Sequence, residues 1–233
     1  MKIQVCLEVG PQGTGAFAPD RPGCWVFGRT PERALEKERE AVSEWFRWLR
    51  RHGEEVPEPG HIELEVAEML RVDYNPVEAG KPEPLFWSEV QPINEADITR
   101  TLQLMGYSRA DLLELVQGLD EEVLNWHPPG EPRTIENCLR HIAYVEPWYL
   151  SRLEIELPKD YPDDVFELLN YTRTVVVDHL RNFPEEKMAG VFQPRRDPSP
   201  ILNLWTARKV LRRLVDHERL HMRYIERVLA IHG

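Results

Sequence analysis

The chain has 233 residues, 42% hydrophobic and 30% charged, with a formal charge of −11. That is the profile of a soluble globular protein with room for one large domain or two small ones, and it argues against a primary nucleic-acid binder, which would show a basic face. No apolar run reaches the about 20 residues that span a bilayer, and no repeat of fixed period is present. Cys6, Cys24 and Cys138 are odd in number and form no CxxC pair. With an N-terminus that alternates and lacks an apolar signal core, they lead us to expect a reducing, cytoplasmic setting.

Residues 2–9 alternate, with Ile3, Val5, Leu7 and Val9 on one side, as a half-buried strand does. Turns at Gly10–Gly13 and Asp20–Gly23 bracket a second strand, Gly15–Ala18, and Cys24–Phe27 reads as a third. Thr30 then caps a helix with Pro31 in its first turn, and Gly53 ends it. Its apolar face is Ala34/Leu35, Val42, Trp45/Phe46 and Leu49, interrupted by Glu38. A fourth strand is expected at His61–Val66, with Ile62, Leu64 and Val66 inward. The order β-β-β-α-β gives a small sheet with one helix on a face.

Residues 73–92 carry Pro76, Pro82, Pro84 and Pro92 among acidic residues and read as a linker, with Phe86 and Trp87 packed against one domain. From there the periodicity is helical. The first helix shows Ile98, Leu102, Met105, Leu112, Val116 and Leu119 on one stripe, with Arg109 in the remaining slot. The second starts at Thr134, after the His127-Pro128-Pro129-Gly130 break, and carries Ile135, Cys138, Ile142, Val145 and Tyr149, with His141 flanking that stripe. The third runs from Asp163 to Phe183 with Phe166, Leu169, Val176 and Leu180 inward. The fourth spans Ser199–His232, with Ser199 as cap and Pro200 in its first turn. Four such helices predict an antiparallel four-helix bundle, so the fold class is α+β in two domains, 1–72 and 93–233, joined by 73–92.

The fourth helix has an apolar seam at Ala207, Val210, Leu214, Tyr224, Val228 and Ile231. Its two gaps are filled by His217 and His221, one turn apart on one face. Imidazoles in such slots are either hydrogen-bonded core residues or ligands of a shared metal ion. Glu218 makes the motif H-E-x-x-H, a spacing that zinc peptidases use with the Glu as general base. Too little chain follows His221 for their further ligands, so an H-E-x-x-H hydrolase is the weaker alternative.

The first segment resembles a HicB-like domain. The resemblance is carried by Ala18-Pro19-Asp20-Arg21-Pro22-Gly23-Cys24, by Gly28-Arg29-Thr30-Pro31-Glu32-Arg33-Ala34-Leu35, and by His52-Gly53-Glu54 with Val56-Pro57. It implies a reduced ribonuclease-H-type fold over residues 1–72 that binds a protein partner or serves stability and dimerisation. The remainder resembles the DinB-like superfamily. Thr134-Ile135-Glu136, Arg140-His141-Ile142-Ala143, Glu146, Trp148-Tyr149-Leu150 and Arg152-Leu153 match one segment. Trp205-Thr206-Ala207-Arg208, Val210-Leu211 and His217-Glu218-x-x-His221 match the other. The resemblance implies a divalent metal, zinc or nickel first, on His141, His217 and His221. It also implies transfer of a low-molecular-weight thiol such as bacillithiol or mycothiol to an electrophile. Glu218 would act as an acceptor for a ligand imidazole or bound water, or pair with an arginine at the surface. Glu146 and Tyr149 read as a structural polar pair, His179 as the alternative third ligand, His127 as a turn residue and His232 as solvated. A protein-interaction module with a structural metal is the alternative to an enzyme.

Overall fold

The computed structural model describes residues 1–77, 84–194 and 203–232. Strands β1 (Lys2–Gly10), β2 (Gly13–Phe17) and β3 (Val26–Gly28) precede helix α1 (Pro31–Arg51), and β4 (Glu63–Arg71) follows it. A single helical turn, α2 (Trp87–Val90), leads into α3 (Glu95–Val116), the short α4 (Glu121–Asn125), α5 (Ile135–Ser151) and α6 (Val165–Arg181). A two-residue pair, β5 (Val191–Phe192) with β6 (Trp205–Thr206), introduces the last helix, α7 (Ala207–His232).

The sheet order is β3-β2-β1-β4, with β1 antiparallel to β2 and parallel to β4. Being internal, β1 is covered on both faces. Ile3, Val5 and Leu7 are buried on one face, with α1 residues in their clusters. Cys6 points the other way, into Phe17, Trp25 and Phe86. α1 begins as its sequence dictates, with Thr30 Oγ1 accepting from the Arg33 amide and Pro31 in the first turn.

Several expectations need correction. β4 begins at Glu63 and runs on to Arg71, and it lies at the sheet edge. A register shift opposite Val5/Cys6 breaks its alternation, and Val66 is 40% exposed rather than inward. Phe86 is buried, but Trp87 is 71% exposed. On α6, Val165, Leu168 and Leu169 face inward, while Phe166 is 38% exposed. α7 starts at Ala207 because Trp205 and Thr206 are extended and paired with β5; Ser199 and Pro200 lie outside the described residues. Ile231 is exposed in the last turn of α7.

One apolar cluster joins the sheet to the long helices: Ile3, Val5, Cys24, Trp45, Phe46, Trp48 and Leu49 share it with Leu104, Met105, Leu211, Leu214 and Val215. A second cluster lies within the helices, around Leu112, Ile135, Leu139, Ile142, Leu168, Leu169, Ile225 and Val228. Polar ties reinforce the junction. Trp48 Nε1 donates to Asp111 Oδ2 at 2.7 Å. The Gly23 amide donates to Asp216 Oδ1 at 2.5 Å, and the Gly23 carbonyl accepts from Arg219 Nε and Arg223 Nη2. Gly23 has a φ of +99°, and a Cβ there would meet Arg219 Cδ at 2.5 Å. Only glycine permits both this backbone and this approach.

Trp48 is fully buried at that junction. Trp48→Ala should therefore cost about 3–5 kcal/mol and lower one melting transition common to sheet and helices. Circular dichroism in the far and near ultraviolet should trace the same curve. Separate melting of the two parts, with only one of them shifted, would contradict a shared core.

Candidate metal centre

The three histidines predicted from sequence converge. Thr134 Oγ1 caps α5 by accepting from the Asn137 amide at 3.1 Å. Ile135, Cys138, Leu139 and Ile142 then turn inward and leave His141 at the edge of the buried stripe. α7 presents His217 and His221 across from it. His217 Nε2 lies 3.1 Å from His141 Nε2, and one candidate ligand atom from each of the three residues lies within 4.8 Å of the others. Ring centroids stand 4.4 Å apart for His217–His221, 4.7 Å for His141–His221 and 4.9 Å for His141–His217. His221 Nδ1 lies 3.5 Å from Cys138 Sγ, which leaves its Nε2 for another partner.

This geometry fits one shared ion. Two imidazole nitrogens each about 2.0–2.1 Å from a tetrahedral centre are about 3.3 Å apart. Three imidazoles leave a coordination position open, as sites that act on a substrate require. The donor set suits zinc, nickel and neighbouring divalent ions. His217 is buried at the base, and His141 and His221 are half-buried, so access is from their side. The Tyr149 ring forms a wall 5.8 Å from His217, and Trp205 packs behind it.

Protonation favours metal capture. Burial, with Arg133 adding, lowers His141 from 6.5 to about 4. Burial, with His141, Arg133 and Arg213 adding, lowers His221 to about 3. His217 is pushed well below its ordinary value by burial and then by the two neighbouring imidazoles. All three are therefore neutral at pH 7, the state in which the ring lone pairs can bind a cation. Burial keeps Cys138 a thiol, up at about 12.

The other histidines stand apart. His179 is half-buried in the last turn of α6 and does not join the triad. His127 is exposed. His232 is exposed, with its ring edge-on to Trp126 at 4.9 Å.

Glu218 occupies a different environment from the one its motif suggests. It is neither a surface carboxylate nor turned to the imidazoles. Its Oε1 accepts from Arg109 Nε at 2.7 Å and its Oε2 from Arg173 Nη2 at 2.8 Å, all deep in the helical core. Glu146 completes the group, accepting from Arg109 Nη2 at 2.8 Å and pairing with Arg173. The arginines also donate to the Leu169 and Met105 carbonyls. Burial would raise Glu218, but Arg109 and Arg173 outweigh it and hold the carboxyl at about 2. The sequence signal for this cluster was Arg109 in an apolar slot. Arg173 gives no such signal, because a single charge beside a helical stripe has no distinguishing mark.

A model of the DinB superfamily matches residues 105–225, just over half of the chain. The match runs from within α3 to within α7 and takes in all three histidines. No curated protein matches the chain.

His141→Ala, His217→Ala and His221→Ala are each expected to weaken metal binding strongly, whereas His179→Ala retains it. Because the folded values lie below the unfolded 6.5, the unfolded chain holds these protons more tightly. The metal-free protein should thus lose stability as pH falls from about 6.5 toward 4. Protons should displace the ion from the folded site only in the lower part of that range. Metal content and calorimetric titration of the four variants at pH 7 and pH 5 check this. Retention of the ion by His141→Ala with its loss from His179→Ala would reassign the third ligand.

Glu218→Gln removes one partner from a buried ion pair and should cost about 3–5 kcal/mol of stability. Metal affinity should stay within a few-fold of the parent. Unchanged stability on chemical denaturation would rule out the role assigned to the cluster.

Proposed function

The chain belongs to the DinB superfamily, a family of metal-binding proteins, and on that premise we propose that it is a divalent-metal-dependent transferase of a low-molecular-weight thiol to electrophiles. The observation that carries the reading is the convergence of His141, His217 and His221, neutral and partly open to solvent. A divalent cation held there lowers the pKa of a thiol and so makes thiolate, the nucleophilic form, available at neutral pH. The chain's own contribution is to fix the imidazoles from two helices, keep them unprotonated, and close the base of the site with His217 and Tyr149. In the transfer, sulfur forms the new bond to carbon, the leaving group departs with the bonding pair, and the thiol proton passes to solvent.

The H-E-x-x-H hydrolase reading is not supported. Glu218 is locked between two guanidiniums and is a poor proton acceptor at about 2. For residues 1–72 the proposal remains a HicB-like module that binds a protein partner, on the strength of its turn motif and its β-β-β-α-β order. One feature favours a second reading, a metal-stabilised interaction scaffold: the Asp20–Gly23 turn is clasped by Asp216, Arg219 and Arg223 of the ligand-bearing helix.

Elemental analysis of untagged protein should give about one divalent ion per chain. The loaded protein should then accelerate conjugation of bacillithiol or mycothiol to 1-chloro-2,4-dinitrobenzene with release of chloride, and His217→Ala should abolish the rate. A stoichiometric metal with neither thiol binding nor turnover would favour the scaffold and overturn the transferase.

A further inference from the structure

We infer that the centre selects a thiol carrying a carboxylate, and that Arg133 is the residue that selects it; the inference rests on the reading of the triad as a metal site. Arg133 immediately precedes the α5 cap, Thr134. Its main chain is pinned by one side chain of α7: the Tyr224 hydroxyl donates to the Arg133 carbonyl at 2.6 Å and accepts from the Arg133 amide at 3.3 Å. Tyr224 lies one turn beyond His221, so Arg133 is tied to the His221 end of the centre.

The side chain of Arg133 is half-buried, and among the described residues its guanidinium has no hydrogen-bond or ion-pair partner. Most other partly buried arginines of the helical region are paired: Arg109 and Arg173 with Glu146 and Glu218, Arg208 with Asp97, Arg212 with Glu89 and Asp216. The positive charge of Arg133 is felt at all three imidazoles. A second guanidinium, that of Arg213, stands one turn before His217 and 5.6 Å from the centre of the Tyr149 ring. The acid adjacent in sequence, Glu218, is compensated by its own two arginines. In a chain of net charge −11, Arg133 thus brings a positive charge to bear on the centre.

The Arg133 guanidinium has no counter-ion among the described residues, so its donors are available to a ligand. A ligand carboxylate can engage them through a two-pronged, charge-assisted pair of hydrogen bonds. A thiol whose sulfur reaches the ion can place such a group at the Arg133 rim. A neutral thiol of the same length cannot.

The test uses the full chain loaded with Co²⁺, whose sulfur-to-cobalt charge-transfer absorption reports thiol binding without turnover. The probes are 3-mercaptopropionate and 3-mercaptopropanol. The parent should bind the acid about tenfold more tightly than the alcohol. Arg133→Gln should erase that preference while still taking up cobalt and binding the alcohol, and Arg133→Lys should restore part of it. Equal affinity of the parent for both probes, or a preference that survives in Arg133→Gln, overturns the inference and leaves the metal reading standing. A parent that takes up no cobalt overturns the metal reading, and this inference with it.

Discussion

Two carboxylates and two guanidiniums are buried where the long helices meet, and the arrangement of those helices depends on their mutual compensation. Each comes from a different helix: Arg109 from α3, Glu146 from α5, Arg173 from α6 and Glu218 from α7. Removing four charges from water is expensive, and only close pairing with further hydrogen bonds offsets the cost. The Leu169 and Met105 carbonyls supply those further bonds. No apolar contact would demand so specific a rotation of each helix, because a helix that turned about its axis would strand a charge. The four positions therefore act as one register mark. On α7 this mark stands next to the centre, since His217 is the chain neighbour of Glu218.

α7 is the element on which these demands converge. Along Asp216-His217-Glu218, successive side chains point about 100° apart and serve three neighbours. Asp216 accepts from the Gly23 amide and from Arg212 Nη1, which fastens the sheet. His217 meets His141 on α5. Glu218 enters the charge cluster. From Leu214 to Arg219 every residue is buried, so this stretch has no solvent face at all. The alternating acids and bases that would read as a solvated surface here are instead a set of interior contacts. Arg212 illustrates the point: it pairs with Glu89 and Asp216 while lying 3.8 Å above the Phe17 ring.

Much of this was legible in the residues themselves. His217 and His221 declared themselves by occupying apolar slots, and Thr30 and Thr134 marked helix starts that the backbone keeps. Arg109 was visible as an exception, but its partners were not, because Glu146 and Glu218 lie far along the chain and only packing brings them together. For Glu218 the pairing with arginine was legible, but its depth in the core was not. Its neighbour in the motif is a ligand, yet adjacent positions on a helix face different ways. Edge placement of β4 was equally hidden: alternation tells which residues share a face, not whether another layer covers that face. Phe166 and Val165 differ by one position, and the periodicity alone placed the wrong one inward.

The three-sided burial of α7 also bears on how this chain can vary in length. Inserting or deleting a single residue within Leu214–Arg219 turns everything beyond it by about 100° relative to everything before it. The sheet clasp, the imidazole pair and the charge cluster cannot then all be satisfied, and no nearby loop can absorb the twist. Changes in length are thus confined to the turns between helices, where extra residues cost little. Among relatives that share these contacts, the spacing from Arg212 to Arg223 should be invariant even where the identities of the exposed residues drift.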